Sequence, residues 1–255
     1  MSLNYNNIFK IPDINLSGQK LTKAYFLRNF DLSAGEKKLL NLGIEQMEFI
    51  AQIIPQRSNI PAVINEKDSF EQILILLCTV TDSILDSTAD NCIQLIQKYI
   101  SHQVLLIVED KNDFILNATE KRINQVDKNK LTIERYFTTK KLSKLYKDAV
   151  VDAFFNALDF TTLDKTNLEL LYKNYIQAIV QFQTTSITGS FQKRTHTRTN
   201  EDMATMESIE TLENEITTLA NQMKKLSQMN EKIQLNIKIH NKRKEIQSLK
   251  DALLR

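Results

Sequence analysis

Six apolar residues near the C-terminus, Ile209, Leu212, Ile216, Leu219, Met223 and Leu226, recur at alternating steps of three and four. That spacing sets them along one seam of a helix, a seam that another helix covers better than a compact core does. Such a helix needs a neighbour, supplied either by a second chain or by its own chain folding back. Past Leu226 the phase changes: Asn230 takes the next seam position, and Ile233, Leu235, Ile237 and Ile239 then alternate every second residue. On a helix, Ile233 and Ile237 lie roughly opposite Leu235 and Ile239, so this stretch is apolar on two faces and calls for two neighbours. All ten residues are therefore expected partner contacts. Glu201, Asp202, Glu207 and Glu210 place negative charge at the positive end of the helix dipole. The expectation is one helix over 201–254, or two broken between Ser227 and Asn230, projecting from the rest of the chain.

The preceding part reads as a separate domain. All three prolines, Pro12, Pro55 and Pro61, fall early, and the 4 glycines are scattered, so strong helix breakers are scarce over most of the chain. Ser33 and Glu36 have the spacing of a capping box, and Leu39, Leu40, Ile44, Met47, Phe49, Ile50 and Ile53 predict that a helix follows until Pro55 stops it. Residues 56–65 read as a loop or edge strand around Pro61. Residues 72–81 form a continuous apolar, β-branched run of strand length, and a helix through Ile93, Ile96 and Ile100 is expected, capped by Asp86, Ser87 or Thr88. Strands follow over 103–109, 114–119 and 131–137, with Asp110 to Asp113 as a hairpin turn. Helices over 142–158 and 167–183, the latter capped by Asp164 or Thr166, close the domain. The fold class is α+β: a small mixed β-sheet with flanking helices over 1–183, followed by a long coiled-coil-like helical extension over 201–255. Residues 184–200 lack periodicity and acidic groups and hold Lys193, Arg194, His196 and Arg198, the composition of an exposed basic linker.

Chemistry is less evident. The sequence has no phosphate-cradling GxxxxGK[ST], no GxGxxG and no GxSxG, and His102, His196 and His240 fall in unrelated segments. No metal, cofactor or catalytic set is expected. Cys78 and Cys92 lack metal-ligand spacing and sit in apolar patterns, so they are expected to be buried thiols in a reducing cytoplasm. No apolar run is long enough to span a membrane, and the start of the chain has neither a basic region nor an apolar signal core. The nearest approach to a nuclease is Glu109-Asp110-Lys111 after a strand, a triplet that reads first as a charged hairpin turn.

The formal net charge of +2 predicts no partner, but its distribution is uneven. Lys121, Arg122, Lys128, Lys130, Arg135, Lys140, Lys141, Lys144 and Lys147 outnumber Glu120, Asp127 and Glu134, with Tyr136, Phe137 and Tyr146 among them. On one face they would suit phosphates and stacked bases; otherwise the lysines form a solvated rim around buried aromatics. Lys238, His240, Lys242, Arg243 and Lys244 form a second basic cluster that could meet DNA or an acidic partner.

Five segments resemble a bacterial family of unknown function, the one numbered 4391. They are Lys23-Ala-Tyr-Phe-Leu-Arg-Asn-Phe-Asp-Leu-Ser33, the block from Gln72 to Ile107, Arg135-Tyr-Phe-Thr-Thr139, Leu163-Asp-Lys-Thr-Asn-Leu-Glu-Leu-Leu-Tyr172, and Gln228-Met-Asn-Glu-Lys-Ile-Gln-Leu-Asn236. The resemblance implies membership of bacterial gene clusters that also encode a helicase and a DNA methyltransferase, as in restriction-like phage defence. It implies no settled activity. Family members carry a Glu and a Lys in the strand corresponding to Ile73 to Thr81, where this chain has Cys78, Thr79 and Val80. That departure argues against a nuclease. The leading expectation is a non-catalytic assembly subunit that docks the helicase, the methyltransferase or itself through the C-terminal helix. The alternative is a DNA-binding or degenerate nuclease module that uses residues 117–147.

Overall fold

A computed structural model describes residues 3–82, 84–127, 131–226 and 228–254. Two compact units result, Met1–Ile179 and Val180–Arg255, and the division falls inside a helix. The first unit begins with α1 (Asn6–Phe9), β1 (Leu16–Lys20), α2 (Lys23–Asn29), α3 (Ala34–Lys38), β2 (Ile44–Ile53), α4 (Pro55–Ser58), β3 (Val63–Ile64) and β4 (Ser69–Phe70). It continues with β5 (Ile73–Val80), α5 (Leu85–Tyr99), β6 (Gln103–Glu109), β7 (Asp113–Ile123), β8 (Leu131–Thr138), β9 (Leu142–Ser143), α6 (Ala149–Ala157) and the start of α7 (Leu168–Thr188).

Among the described residues the main sheet has the order β1-β2-β5-β6-β7-β8, with β9 also on β7. Only the pair β5–β6 is parallel, joined by α5 as a crossover; the other pairs are antiparallel. The fold is thus α+β with a mixed sheet. Residues alternate between its two faces. Leu74, Leu76 and Cys78 of β5 and Val104, Leu106 and Val108 of β6 pack with Leu85, Ala89, Ile93 and Ile96 of α5. The other face carries Phe114, in ring contact with Tyr5 and with Phe155 of α6, while Phe9 meets Tyr175 of α7. Cys78 and Cys92 are both buried and unbridged.

Several local expectations give way to tertiary effects. The helix expected through Ile53 ends at Gly43, and residues 44–53 are β2. Two register shifts against β5, between Ile44 and Gln46 and between Phe49 and Ala51, break the two-residue alternation that would have marked a strand. The helix expected from Leu142 begins only at Ala149, where Asp148 accepts from the Val151 amide; Leu142 and Ser143 pair with β7 instead. α5 starts at Leu85, ahead of the proposed caps, and Thr88 donates back to the Ile84 carbonyl. α7 is capped by Asn167, whose side chain accepts from the Leu170 amide. The capping box at Ser33 and Glu36 is present, and Asp110 Oδ1 closes the turn after β6 by accepting from the Asn112 and Asp113 amides, each at 2.9 Å.

β6 and β7 are paired from Glu109–Phe114 only as far as Leu106–Asn117. Beyond that point buried polar side chains occupy the divergence. The Tyr172 hydroxyl of α7 lies 3.0 Å from the Thr119 amide, from which it accepts, and 3.0 Å from the Val104 carbonyl, to which it donates. Gln97 of α5 donates to Val104 O and to Asn117 Oδ1 and accepts from Thr119 Oγ1. Lys121 follows, donating to the Ile100 and His102 carbonyls at 3.0 and 2.8 Å.

Burial pulls the Lys121 pKa down to about 7, well below the ordinary lysine value near 10.4. Between those values the unfolded chain keeps a proton that the folded chain has released, so stability rises with pH across that window. Relative to Lys121→Met, the wild-type protein should therefore gain stability from pH 7 to pH 9.5, by up to about 1.4 kcal/mol per pH unit. Urea melts of both proteins at both pH values check this; a difference that does not move would refute it.

Candidate functional site

The seam that dominates the sequence finds its neighbour within its own chain. In the second unit α8 (His196–Lys225) and α9 (Met229–Leu253) form a helical hairpin, broken where the loss of phase predicts. Ile209 and Leu212 are buried with Ile246 and Leu253, and Met206, Ile216 and Leu249 pack around them. The expected exposed linker is correspondingly short. Residues 184–188 continue α7, and α8 starts at His196, with Thr195 as its cap accepting from the Arg198 amide. Two of the linker's basic residues tie the hairpin base: Arg194 and Arg198 donate to the Leu253 and Ala252 carbonyls, each at 2.6 Å, satisfying the end of α9. Both also pair with the buried Asp202 at 3.2 Å. Burial pushes the Asp202 carboxyl up, and the two guanidinium groups oppose that.

Towards the hairpin tip the helices cover less. Leu219, Met223, Leu226 and Leu235 are half-buried, and Ile239 is buried in the hairpin. A groove of about 640 Å³ opens beside Leu226 and Leu235, edged by Gln222 and Gln234. Ile239 and Leu235 are thus not the outward contact expected of them; they belong to the face that meets α8. The opposite face is open: Met229, Ile233 and Ile237 are 72%, 48% and 50% exposed. They recur every fourth residue, a stripe about 12 Å long. Exposed Lys238, His240, Arg243 and Lys244 follow it along α9, whereas Lys242 turns inward to an ion pair with Glu215.

The acidic residue singled out after β6 lies in a second arrangement, in the first unit. Glu109 and Thr79 are register partners at the C-terminal ends of the parallel strands β6 and β5. Glu109 Oε2 accepts from the Tyr5 hydroxyl at 2.5 Å and lies 2.7 Å from Lys144 Nζ. Lys144 also donates to the Asp110 carbonyl at 2.5 Å, and Thr79 Oγ1 is 3.5 Å from Glu109 Oε1. Burial first, then Glu109, raises the pKa of Tyr5, which stays protonated as the donor. Each charge here has a partner inside the fold, and Lys111, the third member of the sequence triplet, is exposed and absent from the cluster. Tyr5 and Lys144 escape sequence reasoning because they join Glu109 only through the tertiary fold.

The basic stretch does not form one open face. Lys121 and the Lys144 side chain are buried. Arg122 pairs with Glu134, Lys141 with Asp86, and Lys147 lies over the Phe155 ring at 5.3 Å. Arg135 and Lys140 are also engaged within the chain. Lys128 and Lys130 lie outside the described residues. Of the interleaved aromatics, Phe137 is buried while Tyr136 and Tyr146 are exposed. Among the described residues no group of three or more His, Cys, Asp or Glu is arranged to hold a metal ion, and no helix is long and apolar enough to cross a membrane.

The chain is thus a mixed-sheet α+β unit followed in sequence by a helical hairpin. The chain belongs to the family described as a domain of unknown function, DUF4391, whose profile matches residues 9–246 and so takes in both units. No curated protein and no solved structure matches it.

The Glu109–Lys144 pair is buried enough that removing one partner leaves an uncompensated charge, a loss of about 3–5 kcal/mol. Lys144→Met should therefore lower stability by about that amount in urea denaturation. Glu109→Gln combined with Lys144→Met should cost less than Lys144→Met alone, because the stranded carboxylate is gone. A double variant as unstable as the sum of the two single variants would refute the pairing.

Proposed function

We propose that this protein is a non-catalytic assembly subunit of a bacterial DNA-processing defence complex, and that it docks a partner protein through the outer face of α9. The observation that carries this reading is the exposed stripe of Met229, Ile233 and Ile237, on the side of α9 turned away from α8. A face of this kind contributes little to its own hairpin and would bury branched apolar area on association. The neighbouring Lys238, His240, Arg243 and Lys244 give the partner's chemistry: an apolar helix or groove with an acidic margin. The helicase or the methyltransferase of the cluster implied by the family resemblance is the candidate partner. On this reading the basic stretch 117–147 serves the fold, since its described cations are engaged within the chain or buried.

Ile233→Asp with Ile237→Asp should weaken capture of the partner at least tenfold while leaving the melting profile close to wild type, because both side chains face away from the α8 contact. Pull-down with the candidate helicase and methyltransferase, alongside light scattering for self-association, checks this. Wild-type assembly by the double variant in both assays would remove the reading's support. The subunit alone should also hydrolyse neither ATP nor DNA. Divalent-metal-dependent cleavage that disappears in Glu109→Ala would overturn the non-catalytic assignment.

A further inference from the structure

A second surface, in the first unit, has a different character. A cleft of about 670 Å³ lies at the opposite end of the sheet from Glu109; the length of β6 separates the two ends by about 20 Å. Its walls are the end of β1 with α2 on one side and the connection from α5 to β6, residues 100–102, on the other. Tyr25, Phe30, Phe49 and Tyr99 line it, and Tyr25 is 42% exposed. Tyr25 stands edge-on to Phe30 at 5.7 Å, which fixes its ring. Tyr99 is already occupied, with Phe30 4.7 Å away and Lys98 4.7 Å over its ring, so Tyr25 is the ring with area to offer.

The polar groups of the cleft are as informative as the rings. The side chains of Gln19, Gln52 and Gln72 line it and make no hydrogen bond among the described residues. Each amide offers both donors and an acceptor. No acidic side chain is among the lining residues, and Lys20 is the lining lysine. Burial lowers the pKa of His102, keeping its imidazole neutral. α5 ends at Tyr99, so its C-terminal, partially negative end borders the cleft and disfavours an anion while favouring N–H donors. An uncharged planar ring with donors and acceptors along its edge fits these features. A purely apolar ring would leave the amides of Gln19, Gln52 and Gln72 unused.

We propose that this cleft binds a nucleobase, its ring stacked on Tyr25 and its edge hydrogen-bonded by the amides of Gln19, Gln52 and Gln72. Stacking on an aromatic side chain and amide contacts to a base edge form a recurrent combination in base recognition. The base can come from a free nucleoside or from an unpaired position in a nucleic-acid strand. The site is independent of the hairpin stripe, which lies in the other unit.

Calorimetry on the full chain with adenosine, guanosine, cytidine and thymidine, and with single-stranded dodecamers of each base, tests the assignment. At least one base should bind saturably. Tyr25→Ala should weaken that binding about five- to a hundredfold, and Gln72→Ala by about fivefold or more. Tyr25→Phe, which keeps the ring, should stay within about twofold of wild type. Tyr25 is substantially exposed, and a matched thermal melt of each variant keeps a folding defect separate from a binding one. A dodecamer that binds at least tenfold tighter than its nucleoside, with affinity falling as salt rises, identifies a strand as the source; equal affinities identify the free nucleoside. Absence of saturable binding in every arm overturns the proposal. So does binding indifferent to Tyr25→Ala and Gln72→Ala, or preferential binding of a neutral sugar such as maltotriose.

Discussion

The first unit depends on how the divergence of β7 from β6 is filled. A sheet that splits exposes backbone amides and carbonyls on both diverging strands, and in a buried setting each one unsatisfied costs about 1–3 kcal/mol. Here the Tyr172 hydroxyl, the Gln97 amide and the Lys121 amino group occupy the gap in succession. The split lets β7 leave β6 and carry β8, with Asn117 donating to the Phe137 carbonyl and to Thr138 Oγ1. Lys121, at the wide end, fixes the Ile100 and His102 carbonyls and so holds the connection that walls the aromatic cleft. One buried lysine therefore links sheet geometry to the surface proposed to bind a base.

The second unit follows a different economy of contacts. Its seam is consumed within the chain over the inner half of the hairpin, and the arginine contacts of Arg194 and Arg198 to the last carbonyls of α9 hold the two helix ends together. Those contacts satisfy orphan carbonyls and neutralise Asp202 at once, so the base of the hairpin is well determined. Near the tip Leu219 and Met223 of α8 and Leu235 of α9 are only half-buried, and the second apolar face of α9 stays open. Stability and availability for binding are thus divided along one pair of helices.

The Glu109 cluster shows how the fold meets the cost of burying a carboxylate. In open sheets the carboxyl ends of parallel strands are where ligands commonly sit. Here Tyr5 and Lys144 converge on one carboxylate oxygen at that position, and the neighbouring parallel strand presents Thr79 as its register partner. The carboxylate is compensated by a cation and a hydroxyl, an arrangement that answers the cost of burying charge.

Local order was largely legible in the sequence, because it depends on neighbours along the chain. The strands over 73–80 and 103–109, the Ser33–Glu36 capping box and the turn at Asp110 follow from apolar run length and cap spacing, while the loss of phase after Leu226 left one helix or two open and the structure has two. β2 was hidden by its two bulges, since a bulge shifts the alternation that betrays a strand. The sequence by itself determined that 209–226 would form a helix with one seam and that 233–239 would be apolar on two faces. Only the tertiary structure decided which face stayed open: α9 turns Ile239 towards α8 and leaves Ile233 and Ile237 outside. It also decided that Lys121 and Lys144 point inward. A lysine's position in the sequence does not reveal whether carbonyls or a carboxylate await it across the fold, because those partners lie 19 to 35 residues away in the chain.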